Sequence, residues 1–494
     1  MKKTTLLIIS LLQIGMVWAH GISVSNVSLV NFNESEGWVQ VECDLVWHGS
    51  WRVDAGPSNW DAAWVFVKYR ANSGPWNHAT LSAVNTMFQL PTANYTIEVS
   101  NDNKGAFVYR STVSNGTSVT FPWLGWDLNA DGIDISDTIE VKVFAIEMVY
   151  VPEGAFYLGN DSFTTNEVDA FKKGNTASTA FKVISEDEIQ VGSTNLSQLY
   201  YDATSQYAGD QQGPIPAAFP KGYSAFYCMK YEISEQQYVE YFNTLPADLQ
   251  IVRDITNSPG KNSDDEVDGN TVSWLDIGTD ATTLAPERPC NYIGSGDLEL
   301  YLIWSALRPM TELEFEKAAK GPGTPTPNAY AWGTPNIIST PYLLVSSGQA
   351  GEYVSSGYPS NEGQAAYNLT STNFPRPLRC GAFASNDLTP TRIESGASYY
   401  GIMELSGNLA EFVISVGNST QRQFNGAHGQ GHPEFPSEGG ANFANILLYA
   451  VRGGGWNDNA SLLLIADRTY GGTFPGSLNT GTKNVGGRGV RTAN

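Results

Sequence analysis

The stretches Gly401-Ile402-Met403-Glu404-Leu405-Ser406-Gly407-Asn408, Val451-Arg452-Gly453-Gly454-Gly455-Trp456 and Gly489-Val490-Arg491 set the character of the C-terminal part of this chain. From residue 148 onward Gly, Trp and Tyr are abundant, loops are long and helices are few. Loops of that length in a compact domain are usually functional or braced by a metal rather than accidental. Three helices can be read among them. Ser234 with Gln237 makes a capping box, followed by the apolar stripe Tyr238, Tyr241, Phe242 and Leu245. Thr311 with Glu314 makes a second box, and Gly321-Pro322 ends that helix. Between them, 298–307 reads as a buried helix.

Upstream, from about 21 to 148, the pattern alternates with period two. Trp38-Val39-Gln40-Val41-Glu42-Cys43-Asp44-Leu45, Ala63-Trp64-Val65-Phe66-Val67-Lys68-Tyr69 and Thr138-Ile139-Glu140-Val141-Lys142-Val143-Phe144 are strands, separated by Asn, Gly and Ser clusters. An all-β sandwich over 20–147 is expected, followed by a second domain of long loops and few helices over 148–494. No flexible linker divides them, so the two should pack closely.

Lys2 and Lys3, the apolar run 6–16 and Val17-Trp18-Ala19 read as a signal peptide over 1–19. No later stretch has the apolar length of a membrane helix, so a secreted, cell-surface or periplasmic protein without membrane insertion is expected. The net charge of −22 argues against nucleic acid as a partner. Cys43, Cys228, Cys290 and Cys380 are too few for a disulfide scaffold.

The C-terminal part resembles the sulfatase-modifying-factor family, which includes formylglycine-generating enzymes and sulfoxide synthases. Besides the three stretches above, the resemblance rests on Met148-Val149-Tyr150-Val151-Pro152-Glu153-Gly154-Ala155-Phe156 and on Met229-Lys230-Tyr231-Glu232-Ile233-Ser234 with Gln237-Tyr238. It rests also on Leu307-Arg308-Pro309-Met310-Thr311-Glu312-Leu313-Glu314-Phe315-Glu316 and Tyr330-Ala331-Trp332-Gly333. Their order is the family's. The resemblance implies an irregular, loop-rich α+β domain related to the C-type lectin fold over 148–494, with the N-terminal sandwich lying outside it.

Fold does not give function. The family's oxidases hold copper through two cysteines after the Gly-Gly-x-aromatic turn, and thiolates are soft ligands suited to Cu(I). Those places hold Asp458 and Leu463, and no cysteine follows Cys380. The sulfoxide synthases hold iron through three histidines, two from a helical region that this chain replaces with strands. His428 and His432 form an H-x-x-x-H pair, but Gly426, Gly429 and Gly431 point to a solvated glycine loop. His20, exposed at a new N-terminus by cleavage, would need a second histidine such as His48 or His78 to chelate copper. Neither copper nor iron is expected.

Calcium is expected in a structural role. Asp127-x-Asn129-x-Asp131-Gly132 resembles the first half of an EF-hand loop, and an Asp/Asn/Gly turn without an ion is the alternative. From the family resemblance, a second calcium would be held by Glu404 and Glu411 with the carbonyls of Gly407 and Leu409. Arg308, Arg452, Arg468, Arg488 and Arg491 are framework residues, and Trp332 and Trp456 belong to the core.

Function is then read as that of a secreted or cell-surface binding or structural protein. A divergent oxidoreductase, or a diversified ligand-binding protein with variable C-terminal loops, are the alternatives. A ligand, a cell-surface glycan or protein, would meet the polar region 457–484 through Asn457, Asp458, Asp467 and Tyr470, since loops carry most contacts.

Overall fold

Every residue from Asp61 to Tyr69 is buried, which a strand with only one covered face could not achieve. The computed structural model describes residues 21–494 apart from 85–93, 163–165, 175, 177–178, 340–341, 350, 356–360, 385–390, 433–449 and 475–480. The signal segment and His20 therefore lie outside the described residues, as does part of 457–484. Strands of the N-terminal part are β1 (Ile22–Asn33), β2 (Trp38–Arg52), β3 (Asp61–Ala71), β4 (Asn77–His78), β5 (Tyr95–Val99), β6 (Ala106–Arg110), β7 (Ser114–Thr120), β8 (Trp123–Asp127) and β9 (Ile139–Val151). They form two sheets.

One sheet runs β1-β2-β7, with β8 also on β2. The other has eight strands and is shared by both parts of the chain. Its order is 308–309, 489–492, 226–229, β9, β3, β6, β5, with β4 on β3 and every pair antiparallel. β9 pairs with β3 along Ile139–Val149 and with 226–229 along Met148–Val151. The expected junction at 147/148 thus falls inside one continuous strand.

Alternation assigns the two faces of β3. Ala63, Val65, Val67 and Tyr69 enter the sandwich core with Val39, Val41, Leu45, Trp47 and Trp126. Ala62, Trp64 and Phe66 face the other way, into the C-terminal core with Phe144, Tyr227 and Trp304. Burying Trp64 and Phe66 is worth roughly 2–3 kcal/mol each.

Polar groups fix the register of that second contact. Trp64 Nε1 donates to the Ser305 carbonyl at 2.9 Å. Lys68 Nζ reaches the carbonyls of Trp304 (2.7 Å) and Gly431 (2.5 Å) and His78 Nδ1 (2.9 Å). His78 Nε2 meets the Lys104 carbonyl, so it must donate, and a neutral ring then offers Nδ1 as an acceptor. Lys68 and His78 together therefore hold one positive charge, although burial pushes the pKa of each well down.

Helices α1 (Glu235–Phe242) and α4 (Glu312–Lys320) carry the two capping boxes read from sequence, with Ser234 accepting from Gln237 N and Thr311 from Glu314 N. α3 (Ser295–Trp304) starts and stops three residues earlier than expected, because Asp297 caps the Gly294 N–H. α2 (Ala247–Arg253) was not foreseen; Pro246 opens it without any side-chain cap.

The glycines at 429 and 431 correct the expectation of a solvated loop. Gly429 N and Gly431 N donate to the Leu307 and Ile303 carbonyls. A Cβ at Gly429 would lie 2.4 Å from Ile303 Cα, and one at Gly431 2.2 Å from the His78 ring. Close packing, not solvation, requires these glycines.

α4 is buried on its polar side too. Arg308 forks onto Glu314 at 2.8 and 2.6 Å. Glu312 receives Arg452 Nη1 (3.0 Å) and Arg468 Nε (2.8 Å), and Glu316 receives Arg452 Nη2 (2.9 Å) and Lys320 (2.7 Å). Removing one member leaves a buried carboxylate uncompensated. Arg452→Met is accordingly expected to cost about 3–5 kcal/mol, measured as a lower urea midpoint; a loss below about 1 kcal/mol would show that the lattice contributes little.

Candidate functional site

Glu404 lies in the Gly401–Asn408 stretch and adopts a left-handed backbone, φ 56°. That conformation is uncommon for a residue with a Cβ. It places the side chain beside Glu232, which follows the strand 226–229, and near Glu411 on the strand Ala410–Val413. All three carboxyls are buried.

Arg488 completes this centre. Its Nε and Nη2 donate to the two oxygens of Glu411 at 2.8 and 2.6 Å. Nη2 also reaches the Met403 carbonyl (2.8 Å), and Nη1 those of Met229 (3.0 Å) and Lys230 (3.1 Å). All five guanidinium hydrogens are used. Glu232 accepts from Leu409 N (2.8 Å) and Asn408 Nδ2 (3.0 Å). Glu404 Oε1 accepts from Gly381 N at 2.9 Å, while Oε2 has no hydrogen-bond partner among the described residues.

Electrostatics follow from this closure. Burial pushes the Glu404 carboxyl up to about 7, against the pull of Gly381 N–H and Arg488. Burial and then Glu404 raise Glu232 well above the usual carboxylate range. Burial also raises Glu411, though its paired Arg488 opposes this. Cys380 Sγ lies 3.8 Å from Glu232, and burial with two acidic neighbours keeps the thiol protonated.

For calcium, the expected pair is brought to one neighbourhood, but both oxygens of Glu411 are engaged by a guanidinium. A carboxylate and three carbonyls surround Arg488 much as oxygen ligands surround a hard cation. In the N-terminal loop, Asp131 accepts from Thr80 N (2.8 Å), Thr80 Oγ1 (2.7 Å) and Trp126 Nε1 (2.6 Å). Asp127 Oδ1 caps Ala130 N, and Asn129 Nδ2 donates to the Glu36 carbonyl. This is the geometry of a turn. Among the described residues, no group of three or more His, Cys, Asp or Glu side chains is arranged to hold a metal ion.

The two places of the family's copper cysteines do not fit a soft metal. Asp458 Oδ2 accepts from Gly455 N (2.8 Å) and Asn484 Nδ2 (3.4 Å), and Leu463 is buried beside Trp332, Trp456 and Leu409. His428 Nε2 accepts from Thr492 N at 3.0 Å, and burial beside Arg491 and Arg308 drives its pKa down to about 2.

The described part of region 457–484 is more internal than its composition suggested. Asp467 is 7% exposed, and its oxygens hold Thr469 and Val168 N; burial raises its pKa to about 6. Arg468 is fully buried, with its guanidinium 4.1 Å from the Phe171 and Tyr201 rings. Tyr470 is half-buried against Tyr207 and Phe474, and Asn457 is half-buried. The five framework arginines each pair with a carboxylate, Arg491 with Asp102 at 2.5 Å. Sequence reasoning passed over Glu232 and Asn408 as functional groups. Both lie in quoted motifs, but their convergence depends on a contact across 176 residues.

Comparison with known proteins bears on the frame. A family model described as sulfatase-modifying factor enzyme 1-like domain matches residues 138–492, from just before β9 to the last strand. No curated protein matches. Among solved structures, the chain is similar to the Major Tropism Determinant U1 variant at 11% identity, over 96% of this chain and 86% of that one, with a TM-score of 0.24. A structure concerned with pH-induced modulation of Streptococcus parasanguinis adhesion by Fap1 fimbriae shares 12% identity over 37% of this chain and 74% of that one, TM-score 0.14. The group B streptococcus pilus 2b backbone protein shares 9% over 37% and 73%, TM-score 0.11. Likenesses this slight carry no argument. The family match takes in most of the chain and joins the seven motifs in one frame, and on it the chain belongs to the sulfatase-modifying factor enzyme 1-like family.

Proposed function

We propose that this protein is a secreted or cell-surface binding or structural module, built on a sulfatase-modifying-factor frame that no longer performs the family's copper chemistry. The observation that carries the reading is the pair Asp458 and Leu463: one is a carboxylate closing a backbone turn, the other a core hydrocarbon. Neither can replace a thiolate. Among the described residues no helix is long and apolar enough to cross a membrane, in keeping with the absence of membrane insertion in this reading. A cell-surface glycan or protein is the proposed partner, with Asn457 and Tyr470 better placed to meet it than Asp467.

Incubation with a cysteine-containing sulfatase peptide, oxygen and Cu(I) is expected to give no aldehyde by mass spectrometry. Aldehyde above a heat-killed control would overturn the reading.

Calcium at Glu404 and Glu411 would have to displace a fully satisfied guanidinium. The reading favoured here is that Arg488 supplies the positive charge at this place. EDTA at matched ionic strength is then expected to leave Tm unchanged, and a fall of several degrees would reveal a stabilising cation.

Glu404 gives a pH test of the same centre. Its raised pKa means that the folded chain keeps a proton which the unfolded chain releases between its ordinary 4.5 and about 7. That stabilisation is complete below the unfolded value and lost as pH rises through 7. Glu404→Gln mimics the protonated form at every pH. The variant should match the wild type in stability near pH 4.5 and exceed it at pH 8.5, by up to about 3 kcal/mol. A pH-independent difference between the two would sink the assignment.

A further inference from the structure

At one end of the N-terminal sandwich, the β1–β2 turn and the loop 128–139 line a partly open cavity of about 210 Å³. Its floor is the sandwich core itself, Val39, Trp126, Leu128 and Ile139. Leu29, Ile133 and Ile135 form the walls. Trp126 is the only floor residue with a side-chain donor, and its Nε1 is engaged by Asp131 at 2.6 Å. The polar side chains of the lining besides Trp126 are Glu34, Asn129 and Asp134.

The turn and the loop that line it are tied to each other. Leu128 N and Asn129 N both donate to the Gly37 carbonyl, and Asn129 Nδ2 to that of Glu36. Gly37 has φ +71°, and a Cβ there would lie 2.1 Å from the Asn129 side chain, so the two loops meet in one arrangement. Two carboxylates, Glu34 and Asp134, stand at the rim, and no Lys or Arg lines the cavity. Asp134 is positioned by Ser136, which donates to Oδ1 through N (2.9 Å) and Oγ (2.7 Å). Glu34 is exposed and forms no ion pair among the described residues.

We propose that this cavity is a binding site for a small amphipathic amine, a ring-sized apolar body carrying a cationic end. The volume equals roughly seven waters at about 30 Å³ each, enough for one aromatic ring with a short chain. The apolar body would lie on the core residues of the floor. The ammonium would stay at the mouth between Glu34 and Asp134, where it remains hydrated and opposes two negative charges. The site is separate from the carboxylate–guanidinium centre of the C-terminal domain and does not depend on the function proposed for that domain.

Titration calorimetry on the full chain with phenethylamine and with 3-phenylpropionate tests this directly, because the two probes share a ring and differ in the sign of their charge. Phenethylamine is expected to bind saturably with one site, and 3-phenylpropionate at least about tenfold more weakly, a difference of about 1.4 kcal/mol. Ile135→Trp, which fills the cavity, should abolish amine binding. Glu34→Gln with Asp134→Asn alters only exposed rim groups, so it should fold normally and remove the preference for the amine. This pair keeps the test decisive if Ile135→Trp proves unstable. Absence of saturable amine binding, equal binding of the two probes, or an amine preference that survives the double exchange would each overturn the proposal.

Discussion

Glu312 is held from two directions at once. Arg468 reaches both of its oxygens and Arg452 one, while Val416 N takes a further place at 2.9 Å. Four separate segments meet there: α4, the strand 450–452, the turn after 465 and the chain at 415–416. Glu316, one turn along, extends the contact through Arg452 to Lys320 and Gly159 N. Burial alone would raise the Glu316 pKa, but Lys320 and Arg452 outweigh it and leave it lowered. A loop-rich domain has few sheet ladders to fix its segments. Buried charge pairs supply that fixity, because each is costly to separate even where its net stabilisation is small.

The second constraint is the sheet shared by both parts of the chain. β3 and β9 present one face to the sandwich and the other to the C-terminal core, so neither domain has a free surface at this place. Lys68 makes the contact specific. Its three acceptors come from β4, the end of α3 and the loop at 431, and no apolar side chain could serve all of them. The N-terminal domain therefore supports the C-terminal frame directly. The ligand site proposed in it lies at an end of the sandwich, clear of the strand faces that make this support.

Much of this was legible in the sequence because the signals were local. Ser234 with Gln237 and Thr311 with Glu314 are spaced for reciprocal capping, and the structure forms both boxes. The strands at 38–45, 63–69 and 138–144 were found because period two is a backbone property. Burial of both faces of β3 was not, since Trp64 and Phe66 read equally well as alternate members of a half-buried strand. α2 escaped because Pro246 supplies none of the usual capping oxygens. Gly429 and Gly431 read as a solvated loop because their reason, contact with Ile303 and His78, is non-local.

The carboxylate–guanidinium centre shows what motif matching alone leaves out of such a site. Glu404 and Glu411 are oxygen donors at the places where the family resemblance puts calcium, so the sequence offered no ground to reject the ion. What the local motif cannot show is Arg488, 77 residues from Glu411, which takes both carboxylate oxygens and three carbonyls. A guanidinium and a divalent cation make different demands on the same shell. The arginine brings one charge and a planar set of donors, so a single ionised carboxylate neutralises it. A calcium ion in its place would call for a second ionised carboxylate beside Glu411, and Glu404 or Glu232 would have to supply it. Burial, opposed by Arg488, raises the pKa of both, and Oε2 of Glu404 has no hydrogen-bond partner among the described residues. The frame here keeps its shape around a cation belonging to the chain itself, Arg488, whose five guanidinium hydrogens tie Glu411 to the carbonyls of Met229, Lys230 and Met403.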